Sequence, residues 1–207
     1  MQAKNLYILR NVCITNNKVV CDGRILYTDI PDGNFQTFSK GLYKKLNCRY
    51  PKFYKMDGLC KLTFLANELI TRGVELSIYD PEETAIVLSN SASTLETDIH
   101  FTETLNNIPS PAVFVYTLPN IAIGEISIRQ GWKGENLFFV EHRFNAENII
   151  DQVDILFASG STELCLTGWT EYLSGTDYHV CLWLVAEKAE FTTRKFLGME
   201  LLNDFST

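Results

Sequence analysis

The chain has 207 residues, of which 18 are Lys or Arg and 25 are Asp or Glu, for a net charge of −7. That length suits one domain, and 46% apolar with 12% aromatic residues supply a globular core, which excludes a disordered tail or a coiled coil. The acidic balance argues against a nucleic-acid or anionic-membrane surface, because neutralising phosphates takes a clustered Lys/Arg footprint and the basic runs at Lys44-Lys45 and Lys52 to Lys55 are short.

Residues 5–15 read as a first strand. An irregular stretch follows to about residue 50, punctuated by Asn16-Asn17, Asp22-Gly23 and Pro31-Asp32-Gly33. Its length suggests an insertion that covers something. Asp57 can cap a helix whose Leu59, Leu62, Leu65, Ala66, Leu69 and Ile70 recur at three- and four-residue steps, with Gly73 as the stop. Residues 83–89 form a short apolar run suited to a central strand, and residues 93–106 look helical. A helix over 120–130 would place Ile121, Ala122, Gly124 and Ile128 on a packed face before Gly131. A strand over 136–141 follows, with Phe138, Phe139 and Val140 buried.

Asn145 is the cap expected for a helix carrying Ile149, Ile150, Val153, Leu156 and Phe157, ended by Gly160. Residues 163–171 and 179–187 read as strands joined in a hairpin through Ser174-Gly175. This order predicts a single α/β domain over 1–207. Its architecture would be a mixed, five-stranded, mostly parallel sheet with helices on both faces and an antiparallel hairpin at its edge.

The amino terminus is interrupted by Arg10, Asn16, Asn17 and Lys18, so it offers no signal-peptide core. No stretch approaches the roughly 18 apolar residues of a spanning helix, and a soluble cytoplasmic protein is expected. The six cysteines (13, 21, 48, 60, 165 and 181) form no CxxC pair, in a chain too long and apolar to need disulfide staples. Most read as small buried hydrophobes. His100, His142 and His179 are isolated in sequence, so neither a metal site nor a cofactor is expected.

The segment 109–135, PSPAVFVYTLPNIAIGEISIRQGWKGE, resembles beta-ketoacyl-acyl carrier protein synthases (ketosynthases) of the thiolase-like superfamily. There a Pro-Asn step opens a helix that ends in R-x-G-x-K-G before the nucleophile strand. The matching positions here are Pro119, Asn120, Arg129, Gly131, Lys133 and Gly134. Phe53-Tyr54-Lys55-Met56-Asp57, the run IVLSNSASTLE at 86–96 and the closing hairpin are similar to flanking parts of the family's amino-terminal half. The resemblance implies a single thiolase-like half.

It also implies two departures. Ketosynthases carry a Cys at the elbow after this strand, where a thiolate both attacks and leaves as an acyl thioester. Counting from Lys133-Gly134 puts Phe144 at that place, where its ring would plug the acyl pocket. No Cys lies between Cys60 and Cys165 to take its role. The family's paired histidines lie in a carboxy-terminal half that would begin about where this sequence stops, so the condensing machinery is not expected within one chain.

Other residues read as structural. Cys165 and Cys181 sit in apolar strands, as buried thiols do. His142 beside the elbow is the candidate for a base, although a lone His at a strand end is usually a polar terminus. Ser159-Gly160-Ser161 reads as a helix stop, not a nucleophile elbow. Glu96, Asp98 and Glu103 fit the solvated face of a helix. The expectation is a non-catalytic ketosynthase-like protein, a structural or accessory partner in fatty acid or polyketide-type biosynthesis. It would form a homodimer, or a heterodimer with a ketosynthase, with acyl carrier protein as a further partner. The alternative is half of a split acyltransferase completed by another chain. A lone half would also leave a wide apolar surface for its partner.

Overall fold

The computed structural model describes residues 5–28, 33–106, 108–187 and 192–206. Three antiparallel strands open the chain: β1 (Tyr7–Thr15), β2 (Lys18–Cys21) and β3 (Arg24–Thr28). Asn16 and Asn17 (φ 47° and 59°) and then Asp22 and Gly23 (φ 49° and 73°) supply the positive-φ pairs of two-residue hairpin turns. Next comes α1 (Phe35–Lys45), capped by Asn34, with Phe35, Phe38 and Leu42 buried. The expectation of an irregular covering loop over 16–50 is therefore corrected, because the stretch builds sheet and core. The Pro31-Asp32 step lies outside the described residues.

Asp57 caps α2 (Gly58–Ile70) by accepting from the Cys60 N–H, and the helix buries the apolar positions its periodicity predicted. β4 (Thr84–Asn90) is buried at every residue. It pairs in parallel with β5 (Asn136–Val140) on one side and β6 (Leu164–Ser174) on the other. A strand flanked on both edges and covered on both faces can be apolar throughout. Three helices link β4 to β5: α3 (Leu95–Thr104), α4 (Pro111–Val115) and α5 (Ile121–Gln130). Then α6 (Ala146–Ser159) links β5 to β6, β7 (Asp177–Ala186) returns against β6, and α7 (Gly198–Phe205) follows.

Among the described residues the sheet has seven strands in the order β3-β2-β1-β7-β6-β4-β5, and only the two pairings of β4 are parallel. The expected five-stranded, mostly parallel sheet is corrected accordingly, and so is the edge position of the last hairpin. β7 pairs with β1 as well as β6, with Cys13 opposite Cys181, which puts the hairpin in the middle. The sulfurs of Cys13 and Cys181, expected as separate core thiols, are in bonding contact.

Side chains alternate across the strands. Ile86, Leu88, Leu166 and Leu182 meet α1, α2 and α5, while Ala85, Val87, Cys165 and Trp183 meet α6 and α7. Two local expectations change. Ile128 is 67% exposed, since α5 packs through Ala122, Ile123, Glu125 and Ile126. Val140 is 55% exposed, because β5 is an edge strand and not a central one. Among the described residues no helix is long and apolar enough to cross a membrane.

Candidate functional site

The motif residues gather where the chain enters β5. Pro119 and Asn120 open α5, but the Asn120 side chain makes no capping bond. One turn on, Glu125 is buried on α5; its carboxylate accepts from the hydroxyls of Tyr50 (3.1 Å) and Tyr116 (3.3 Å) and pairs with the Lys52 ammonium (2.7 Å). Arg129 grips Glu68 of α2 through two bonds of 2.6 and 2.9 Å, and this pairing holds its guanidinium above its ordinary pKa. Gly131 ends α5 in the left-handed conformation. The Lys133 N–H donates to the Pro81 carbonyl (2.7 Å), and its ammonium lies 3.6 Å from Glu82. A Cβ on Gly134 would sit 2.5 Å from the Thr84 carbonyl oxygen. These residues set the angle and depth at which β5 joins β4.

Phe144 and His142 stand at the other end of β5, away from the motif. After β5 the chain turns through Glu141, His142, Arg143 and Phe144, and Asn145 then caps α6 by accepting from the Asn148 N–H (3.2 Å). The Phe144 ring lies 4.3 Å from Phe205, 5.7 Å from Trp183 and 6.1 Å from Trp169, centroid to centroid. Two strands and α7 thus supply its aromatic contacts. Trp183 is fully buried and its indole N–H donates to Asp204 (2.7 Å), which also binds Arg194 (2.6 Å). Arg194 bonds Glu200 as well (2.8 Å), so both carboxylates of α7 are tied down. His179 packs its ring 4.5 Å from Phe205, and burial lowers its pKa.

His142 is exposed and makes no hydrogen bond or ion pair among the described residues. The free thiols are all held in the protonated form. Burial pushes up Cys60 and Cys165, and burial with a neighbouring carboxylate pushes Cys21 to about 11 and Cys48 to about 12. Ser159 and Gly160 end α6, with Gly160 at φ 80°. Glu96 is half-buried, Asp98 accepts from Thr94, and Glu103 pairs with His100, so the three acids of α3 do not converge. The strand-to-helix junction can pack aromatic rings. Its residues 141–145 are Glu, His, Arg, Phe and Asn, with no Cys, Ser or Thr among them.

The cage around Phe144 had no signal in the sequence beyond the aromatic character of positions 169, 183 and 205. Trp183 lies in an unbroken apolar run and Trp169 among Thr167, Gly168 and Thr170, and neither setting reveals which side chains share a face. The expected wide apolar surface is not on α6, whose Glu147, Asp151 and Asp154 are exposed. Exposed apolar side chains gather on and beside α3 and α4 instead, at Leu95, Ile99, Leu105, Ile108, Phe114 and Val115.

No protein-family profile and no curated sequence matches the chain. Among solved structures it is similar to the ishigamide ketosynthase/chain length factor, at 18% identity and a TM-score of 0.67 over 92% of this chain and 64% of that one. It is also similar to the ketosynthase (ApeO) in complex with its chain length factor (ApeC) from Xenorhabdus doucetiae, at 12% and 0.59 over 98% and 90%. A beta-ketoacyl synthase from Burkholderia phymatum matches at 13% and 0.60 over 89% and 59%. The chain therefore spans less than two thirds of the first and third relatives, and most of the matched chain in the second. At these identities the likeness establishes the fold, which is ketosynthase-like and of thiolase type.

Proposed function

We propose that this ketosynthase-like fold serves as an accessory subunit of a ketosynthase in fatty acid or polyketide-type biosynthesis, without thioester chemistry of its own. Phe144 carries the reading. In this reading it takes the strand-to-helix junction where ketosynthases place their nucleophile, and its partly exposed ring packs against Phe205, Trp183 and Trp169. Phe cannot attack a thioester.

The partner surface in this reading is the free edge of β5. Among the described residues β5 pairs only with β4, which leaves one row of its N–H and C=O groups open, with Val140 exposed beside them. The exposed apolar side chains of α3 and α4 add area to such an interface. A neighbour of the same fold class is a ketosynthase held with its chain length factor, a partnership of the proposed kind. Acyl carrier protein is the second partner in this reading.

The test is the light-scattering mass of the chain alone and mixed with the ketosynthase and acyl carrier protein of the same genome. A one-to-one complex with the ketosynthase, weakened by Val140→Asp, supports the proposal. A stable homodimer indifferent to both proteins sinks it. Labelling of the purified chain by an acyl thioester would favour a split acyltransferase instead, a reading in which the other chain must bring the nucleophile.

A further inference from the structure

β3 closes the sheet on the side opposite β5. Among the described residues it pairs only with β2, so one row of its N–H and C=O groups has no strand beside it. All five of its residues are exposed or half-buried. Its pairing with β2 slips by one residue: Val19 faces Tyr27 and Val20 faces Ile25, which leaves Leu26 as the extra residue of a bulge. A bulge breaks the alternation of faces, and Ile25 and Leu26 are 65% and 52% exposed side by side. Shortness and a bulge blunt such an edge against a long rigid strand. The other protective devices, a lysine, a proline or an inward charge, are missing from Ile25-Leu26-Tyr27. A flexible segment can follow a bulged edge where a preformed sheet cannot.

The charge beside this edge has one sign. Arg24 is exposed at its start, and Lys18 of β2 stands opposite Thr28. The Lys45 ammonium of α1 lies 4.3 Å over the ring of Tyr27, which α1 also meets through Phe38, at 5.8 Å between centroids. None of the three cations makes an ion pair among the described residues. Asp22, the only acid of residues 18–28, is held at β1 by the Arg10 guanidinium (3.3 Å) and the Asn11 N–H (2.9 Å).

A second copy of the chain suits this edge poorly. Antiparallel self-pairing about Leu26 would set Ile25 against Tyr27 and keep α1 of both copies on one face, with a Lys45 on either side of the same seam. Like charges across a strand pair destabilise it. The strand is also short, since five residues span about 17 Å. Pairing of that length alone falls below the roughly 1,200 Å² that a stable dimer buries.

We propose that β3 is a docking edge for an extended acidic segment of another protein, which adds a strand to the sheet. Its backbone pairs with β3, its apolar side chains cover Ile25 and Leu26, and its carboxylates meet Arg24 and Lys45. β3 and β5 are opposite ends of the sheet, so this edge is independent of whether the chain partners a ketosynthase.

The test is NMR titration of the 15N-labelled full chain with three heptapeptides blocked at both ends: alternating glutamate and valine, alternating lysine and valine, and glutamate alone. The first should shift the amides of residues 24–28 and slow their hydrogen exchange. Arg24→Glu and Leu26→Asp should each weaken its binding about fivefold. Both positions are exposed, so both variants should melt like the parent. Four results overturn the proposal. The lysine peptide binds as tightly as the first, or the glutamate-only peptide does, which would leave charge alone. No amide of β3 responds at millimolar peptide. The chain is a dimer by light scattering that Leu26→Asp dissociates, which would make a second copy the occupant.

Discussion

The ring of Phe205 lies on the ring of Phe144, with centroids 4.3 Å apart and planes 17° from parallel. One residue ends α7 and the other precedes the cap of α6, so the stacked pair ties two helices together at the elbow. Phe144→Ala and Phe205→Ala should each lower stability by about 2 kcal/mol, below the cost in a sealed core because both rings are partly exposed. A double-mutant cycle by chemical denaturation should return a coupling of about 1 kcal/mol. A coupling near zero would make the rings independent neighbours.

Asp204 serves two donors at once, the buried Trp183 indole and the Arg194 guanidinium. Asp204→Ala leaves both without this acceptor and should cost about 3 kcal/mol. Asp204→Asn keeps a carbonyl for the indole and should cost roughly half of that. Hydrogen exchange in α7 reads the effect directly, since α7 should exchange ahead of the sheet in the Ala variant.

Gly134 is the motif residue with the least room. A methyl group there meets the carbonyl of Thr84 at 2.5 Å, and that atom belongs to the backbone of a central strand. Gly134→Ala should therefore destabilise the fold by about 3 kcal/mol or more. Replacing Lys133 by Ala, whose ammonium is exposed, should leave the melting temperature within a degree or two of the parent. Equal effects of the two changes would contradict the packing account.

Burial of His179 lowers its pKa from 6.5. Between the folded and unfolded values the unfolded chain binds more protons, so its contribution to stability is complete above pH 6.5 and is lost as pH falls through the folded value. The stability difference between the parent and His179→Gln should be flat from pH 7 to 8 and shift against the parent below pH 6.5. Denaturation curves across that range check the sign. A difference independent of pH would mean that the imidazole is solvated in the fold.

Much of the secondary structure was legible because its signals are local. The caps Asp57 and Asn145, the three-and-four spacing of leucines in α2 and the apolar run of β4 all act within a few residues. The turn pairs Asn16-Asn17 and Asp22-Gly23 were equally visible, but the strands between them are short. Their place in the sheet is set by β1, whose other partner, β7, lies far along the chain. Phe144 could be singled out by counting from Gly134. The residues around it could not, because β6 and β7 are buried on both faces, so their sequences do not show which side chains share one. Arg129 and Gly134 were recognised as motif positions, whereas their work of seating β5 depends on Glu68 and Thr84, which only the fold brings near.

The strand order has a consequence for how the protein is made. β7 occupies the middle of the sheet but, of the seven described strands, is the last in chain order. Until it emerges, the β1–β2–β3 ribbon and the β6–β4–β5 group share no hydrogen-bonded neighbour, and the inner edges of β1 and β6 stay open. Joining them closes a loop of most of the chain, which makes assembly of the sheet slow and late. The nascent protein is thus most prone to aggregate just before residue 177 appears, and in cells this interval is where a chaperone would act.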